Sequence, residues 1–419
     1  MLIILWATTT ILPLTSFAVN FSSSIRYGKL QLLPSLTHNA NLQLEENKFY
    51  SDLWFEGAFS ISEHLFYTGS VQVTNQPNQL INTKYSRPDY PLSTGRVQRS
   101  AIHYKSDRIA ATLGREDMLR DGMKPTIFDY PLTADGFSWE MQLNGYRFKH
   151  VFQVLPGEQS SGQVFRRSVS YHHLSKRFGN LEFGLGEYFI LTGEHIPFDL
   201  KRLNPFLPFI INSHDSEADL YSGYAGDSDN SLIKLFIQGK SPRSEIFMKL
   251  YIDEFQIDAV DREANNDALL LSLLVHNQLS LFGLEHLVNW GFSLSNPNFG
   301  QHPGPFTTTT IGLYPMFEYS PGMKNLIFFD SSSRWSDHLS IQFSGHHTNW
   351  VNISELSPAD MNQRAKLGAL ETFSDSRISY GLMYEPKQFP MKLGIKGWSG
   401  SDSGLMVEAQ LFSRVISSP

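Results

Sequence analysis

Five acidic residues, Asp215, Glu217, Asp219, Asp227 and Asp229, fall within one short stretch, and hard cations such as calcium take several carboxylate and carbonyl oxygens of this kind. The spacing is not that of an EF-hand. The stretch reads either as a solvated acidic loop or as a place where a divalent cation bridges to an anionic partner. Two histidine pairs, His172-His173 and His346-His347, are adjacent in sequence. Neighbouring residues of a strand point to opposite faces, so neither pair holds a single zinc ion. The run Ser399 to Gly404, SGSDSG, lacks the Gly-x-Ser-x-Gly spacing of a nucleophile elbow and reads as a hairpin turn. A glycosidase carboxylate pair stays open in principle, since its members can be distant in sequence; charges crossing a lumen are the commoner arrangement. These residues lead to an expectation of no catalytic site, no bound metal and no cofactor. A different signal lies in Tyr221, Tyr224 and Trp350, which sit among Asn, Asp and Arg in or beside long connections. Rings beside amides and charges suit the faces of sugars, because the ring supplies apolar area while its neighbours bond hydroxyls. The same rings also suit an interfacial girdle.

The elements that carry these residues are strands. In Arg243 to Phe255, Ile246, Met248, Leu250 and Ile252 fall on one face while Glu245, Lys249, Tyr251 and Asp253 fall on the other. The pattern recurs along nearly the whole chain in segments of about ten residues separated by turn residues, which is how a transmembrane β-barrel with lipid outside and a wet lumen is written in sequence. Leu339, Ile341 and Phe343 alternate with Ser340, Gln342 and Ser344, and Leu405, Val407, Ala409 and Leu411 with Met406, Glu408 and Gln410. Arg96 to Lys105 breaks the rule, with a cation on each face.

Composition agrees. The net charge of −7 with scattered Lys and Arg excludes a nucleic-acid partner, which needs a clustered basic face. Only 18% of residues are charged against 13% aromatic, the balance expected where side chains face lipid and two interfaces. With no cysteine there are no disulfides, thiolate metal sites or cysteine nucleophiles. Residues 1–18 contain an apolar run ending Ser16-Phe17-Ala18, a small-x-small pattern read as a signal peptide cut after Ala18, although no Lys or Arg precedes Arg26. Residues 19–419 then form one domain, since no linker or composition shift divides them.

Counting alternating segments gives an all-β fold, an antiparallel transmembrane barrel of about eighteen strands with long loops partly filling the lumen; an even count returns both termini to the periplasmic side. The long connections are Gln76 to Gly95, Arg115 to Asp135, Pro197 to Asn230, Ser293 to Lys324 and Val351 to Ser374. The last carries a helix signal, with Ser357 as N-cap and Pro358 at the first helical position.

The middle of the chain resembles the Wzi capsule-assembly family. The residues that carry the resemblance are Leu113-Gly114-Arg115-Glu116-Asp117, then Leu203-Asn204-Pro205-Phe206, the pair Asp229-Asn230, and Tyr251-Ile252-Asp253-Glu254-Phe255. Four elements in the family's order over roughly 150 residues make the match fairly specific. In one respect the chain departs: capsule-attaching members carry a helical region before the first strand. The resemblance implies an outer-membrane barrel, not an enzyme, that attaches or organises surface polysaccharide, with outer-membrane lipid and lipopolysaccharide around it; a passive small-solute channel is the alternative. On physical grounds Gly114 can take a backbone conformation closed to other residues, Arg115 can pair with a lumenal carboxylate, Asn204 and Pro205 can stiffen a returning loop, and Asp253, sharing its face with Phe255, can anchor a loop inside the barrel. Direct contact with glycan is the other reading of these residues.

Overall fold

An extended chain with two chemically different faces spans a membrane only as part of a closed sheet, because an open edge leaves unpaired N–H and C=O groups in hydrocarbon. The computed structural model describes residues 16–28, 48–74, 94–119, 133–160, 163–193, 228–254, 268–297, 299, 310–311, 314–315, 322–351, 371–386, 391–400 and 403–417. Among the described residues there are strands and no helix. They are β1 (Ser16–Gly28), β2 (Lys48–Ser60), β3 (Leu65–Thr74), β4 (Thr94–Lys105), β5 (Ile109–Glu116), β6 (Ala134–Leu143), β7 (Tyr146–Ser160), β8 (Gln163–Phe178), β9 (Leu181–Gly193) and β10 (Ser228–Lys240). There follow β11 (Ser244–Glu254), β12 (Ala268–Leu281), β13 (Leu284–Ser295), a small hairpin of β14 (Thr310–Ile311) and β15 (Tyr314–Pro315), then β16 (Met323–Arg334), β17 (Leu339–Val351), β18 (Thr372–Tyr384), β19 (Met391–Gly400) and β20 (Gly404–Ser417).

Each strand outside the small hairpin pairs antiparallel with the one before and the one after it, β13 passing to β16 across the hairpin. β1 pairs with β2 on one edge and with β20 on the other, so the eighteen-stranded sheet closes on itself. The segments named from their alternation, Leu339 to Ser344 and Leu405 to Leu411, fall within β17 and β20, and Arg243 to Phe255 falls on β11 as far as the described residues reach. The observed strands mostly run further, as in β8, because ladder bonds continue past the residues whose side chains alternate cleanly. β1 begins at Ser16, ahead of Ala18 where the leader is expected to be cut. The helix expected after Ser357 lies outside the described residues.

Short turns gather at one end of the barrel. Asn144-Gly145 and Phe282-Gly283 make two-residue turns with φ of 52° and 77°, and 55° and 76°, the positive pair that matches the twist of flanking strands. Four other turns share a serine device: the hydroxyls of Ser62, Ser106, Ser241 and Ser336 accept from the backbone N–H of Leu65, Ile109, Ser244 and Leu339 at 3.1–3.2 Å. The start of β1 and the end of β20 lie at this same end, which by turn length is the periplasmic one.

The outer wall is apolar. Leu174, Leu185, Leu235, Leu250, Leu271 and Leu294 are direct register neighbours from β8 to β13, a continuous leucine row facing outward. On β11 the expected alternation holds, with Ile246 and Met248 exposed outside while Phe247, Lys249 and Tyr251 are buried inside. The break in Arg96 to Lys105 is a β-bulge: Ser70 pairs with Arg99 but Val71 with Val97, leaving Gln98 as an extra residue. The extra residue reverses the parity of β4, so odd-numbered Val97 and even-numbered Ile102 and Tyr104 share the outer face, while Gln98 and Ala101 are buried. Gln98 Nε2 donates to Gln72 Oε1 at 2.5 Å.

Candidate functional site in the lumen wall

The inner face of β7 to β12 collects polar chemistry within an apolar setting. Lys149, His173, Gly186, Lys234, Tyr251 and Leu270 are direct neighbours across these six strands. Gly186 is small for a reason: a Cβ there would lie 2.9 Å from the Tyr171 ring. Its absence lets Tyr171 and Tyr188 stack with centroids 4.1 Å apart.

Lys234 and Lys249 are 0% and 1% exposed, and a buried cation needs compensation. Aromatic faces supply part of it. Lys234 Nζ lies 5.1, 5.6 and 5.9 Å from the ring centres of Phe236, Phe247 and Tyr251, and Lys249 Nζ 4.5 Å from that of Phe247. Lys149 Nζ donates to the Met118 carbonyl at 2.9 Å, tying the wall to the chain that leaves β5. Nearby, Tyr171 Oη and His173 Nδ1 share a 2.9 Å hydrogen bond, Arg147 Nη2 lies 3.1 Å from His173 Nε2, and Ser175 donates to Glu182 at 2.6 Å. Arg167 is buried on the same face.

Connections between strands enter this wall. Met118 and Leu119, after β5, and Phe299, after β13, belong to one buried cluster with Val151, Tyr188, Phe247 and Tyr251. Phe299 meets Tyr251 edge-on at 6.3 Å. A second polar patch lines β3 to β5, where Arg99 Nε lies 3.1 Å from Glu116 Oε1 and the Phe66 ring stacks on His103 at 4.7 Å. Arg99 is half exposed and presents a cation to the lumen, whereas Tyr171, Tyr188, Lys234 and Lys249 are packed away in the wall. Among the described residues no group of three or more His, Cys, Asp or Glu is placed to hold a metal ion.

The residues singled out in the sequence have different fates. Gly114 takes φ 129°, and a Cβ on it would overlap the Ser100 carbonyl and stand 2.9 Å from Ala101 Cα, so the expected backbone role holds. The lumenal pairing expected of Arg115 is corrected. Arg115 shares the outward parity of Leu113, and its guanidinium forms a fork with Asp135, its register partner on β6, with Nε to Oδ1 at 2.9 Å and Nη2 to Oδ2 at 2.5 Å. Alternation decides the face, and the nearest carboxylate on that face is Asp135. Tyr251 and Asp253 are buried and face inward as expected. Trp350 is corrected too: it belongs to β17, opposite Met323, and is buried instead of displayed on a loop, because β17 extends to Val351. Asp229 and Asn230 lie in β10 opposite Leu191 and Ile190. Asn204, Pro205, Tyr221, Tyr224 and Phe255 lie outside the described residues, as do Asp215, Glu217, Asp219 and Asp227 of the acidic stretch.

The histidine pairs behave as adjacent strand residues must. His173 faces the lumen while His172 shares the outer face with Leu174, and His346 Nε2 approaches Asp375 Oδ2 at 3.7 Å while His347 Nδ1 meets Ser376 Oγ at 2.7 Å. Sequence reasoning missed Lys149, Arg167, Lys234, Met118 and Leu119. One signal was available: in Leu232-Ile233-Lys234-Leu235-Phe236, Lys234 shares a face with Leu232 and Phe236, a lone cation on an otherwise apolar stripe.

A closed antiparallel barrel with short turns at one end, a leucine belt outside and polar groups within is a β-barrel of the Gram-negative outer membrane. Among solved structures the chain is similar to Wzi of Escherichia coli, described as an outer-membrane protein involved in group 1 capsule assembly and a carbohydrate-binding β-barrel; the TM-score is 0.56 at 12% identity, over 98% of this chain and 86% of that one. It is also similar to OccAB4 of Acinetobacter baumannii, with TM-score 0.50 and 9% identity over 96% of this chain and 99% of that one. OpdK, an outer membrane protein of Pseudomonas aeruginosa, gives TM-score 0.51 and 11% identity over 95% and 99%. At these identities the likeness is one of fold. No protein-family model matches the chain, and no curated protein matches it.

Proposed function

We propose that this barrel binds surface polysaccharide and helps to attach or assemble it at the cell surface. The observation that carries the reading is the packing of Met118, Leu119 and Phe299 against the inner wall of β7 to β12. Residues from two interstrand connections lie where a wide channel would keep water, packed in one cluster with the stacked Tyr171 and Tyr188. The resemblance of Gly114-Arg115, Asn204-Pro205, Asp229-Asn230 and Tyr251 to Phe255 to the Wzi pattern, and the likeness of fold to a carbohydrate-binding barrel, support the same reading. Binding needs no bond-breaking group, and none of these residues is assigned a catalytic role. The test is deletion of the gene. Cell-associated polysaccharide is released into the medium with its synthesis and chain length unchanged; a deletion strain that keeps its polysaccharide and loses uptake of a small solute refutes the proposal.

One observation favours a second reading, a passive channel for small solutes. Lys149, Arg167, Lys234 and Lys249 line a single inner wall, and a row of cations selects anions in a pore. The burial of Arg167, Lys234 and Lys249 weighs against it, since ions passing through a channel meet wetted groups.

A further inference from the structure

The leucine row on the outer wall is not smooth. From the row towards the short turns, the wall of β7 to β12 is indented by a groove of about 620 Å³ whose sides include Leu174, Phe183, Leu185, Leu235 and Met248. Its lining is almost wholly apolar except at its periplasmic mouth, where Lys176 stands. Lys176 faces outward opposite Tyr146 and Phe183, with Nζ 3.7 Å from the Tyr146 ring centre and 2.8 Å from the Asn144 carbonyl that it donates to. Arg243 is exposed on the turn between β10 and β11. An apolar trough that ends at a lysine beside an interfacial tyrosine has the polarity of a lipid molecule, tail in hydrocarbon and head at the boundary.

We propose that this groove is a binding site for one anionic glycerophospholipid of the inner leaflet, with an acyl chain lying between Leu174, Leu185, Leu235 and Met248 and the headgroup phosphate on Lys176. The leaflet follows from the groove's position by the short periplasmic turns, and the preference for negative charge follows from Lys176, the one charged residue of its lining. A lysine held by a carbonyl and a ring keeps N–H donors for the phosphate, since an ammonium carries three. Lipid that merely coats a barrel is exchanged without preference. A lipid seated in this trough is retained through purification and chosen by charge.

Native mass spectrometry of the folded full chain, titrated in detergent with phosphatidylglycerol or phosphatidylcholine, tests the proposal. The expected result is a one-to-one phosphatidylglycerol adduct at least several-fold more abundant than the phosphatidylcholine adduct. Lys176→Gln removes the preference, and Leu235→Trp, which fills the trough, reduces both adducts, whereas Leu382→Trp on the distant outer wall of β18 changes neither. Heat-modifiable gel mobility shows that each variant is folded, and because Leu235→Trp leaves the turn contacts of Lys176 intact, the two variants fail for different reasons. Equal adducts of the two lipids on the parent protein, or a phosphatidylglycerol adduct untouched by both Lys176→Gln and Leu235→Trp, overturns it.

Discussion

Gly114 on β5 and Gly136 on β6 are register partners, and neither has room for a side chain. A Cβ on Gly114 would overlap the Ser100 carbonyl on one neighbouring strand, and a Cβ on Gly136 would overlap the Phe152 carbonyl on the other. The glycine pair brings four strand backbones, β4 to β7, together just before the chain turns inward to Met118 and Leu119. Gly114→Ala also forces alanine to φ 129°, and strain of this kind costs about 1–3 kcal/mol. Urea-gradient gels should show the variant unfolding at lower urea than the parent. Gly179→Ala, in a turn at φ 60° with nothing within 4 Å, meets the left-handed backbone cost without an overlap and should lose about 1–2 kcal/mol.

Leu250 and Lys249 are neighbours on opposite walls. Leu250→Arg places a cation in the leucine row, at a cost of about 2–4 kcal/mol near the bilayer midplane, and should abolish the heat-modifiable folded band. Lys249→Arg keeps the charge inside the barrel but enlarges a side chain packed on Phe247. It should still assemble, with stability reduced by about 1–3 kcal/mol from overpacking. If the two variants assemble equally, the assignment of faces is wrong.

Phe299 joins a connection to the lumen wall through Tyr251. Phe299→Ala removes about 3–5 kcal/mol of packing from that connection while leaving the strand ladder untouched. Planar-bilayer recordings should show low conductance for the parent protein and a rise in the variant. A large conductance already present in the parent, and unchanged by the substitution, would point to the channel reading.

Replacing Tyr221 and Tyr224 together by Ala should release part of the cell-associated polysaccharide without lowering the amount of folded barrel. Trp350→Ala should act differently, through folding, since Trp350 is buried within β17 and truncating a buried aromatic costs about 3–5 kcal/mol. Measuring released polysaccharide per folded barrel separates the two effects. No release from the tyrosine variant would remove those residues from the glycan proposal.

The sequence by itself determined the strands and their faces. Period-two alternation is a local property of the extended backbone, so Ile246 and Met248 outside, Tyr251 and Asp253 inside, and the opposed rings of His172 and His173 could all be read residue by residue. Gly114 was legible for the same reason, since a glycine that ends a strand is a statement about backbone conformation. What only the tertiary structure decided depends on which strand lies beside which. The parity change at Gln98 arises from pairing with β3, the partner of Arg115 is set by the β5 to β6 register, and Trp350 is buried because β17 continues to Val351. Met118, Leu119 and Phe299 carry no periodicity that marks them as lumen residues; they are inside because closing eighteen strands creates an interior, and apolar side chains near its mouth lose less by entering it than by facing water.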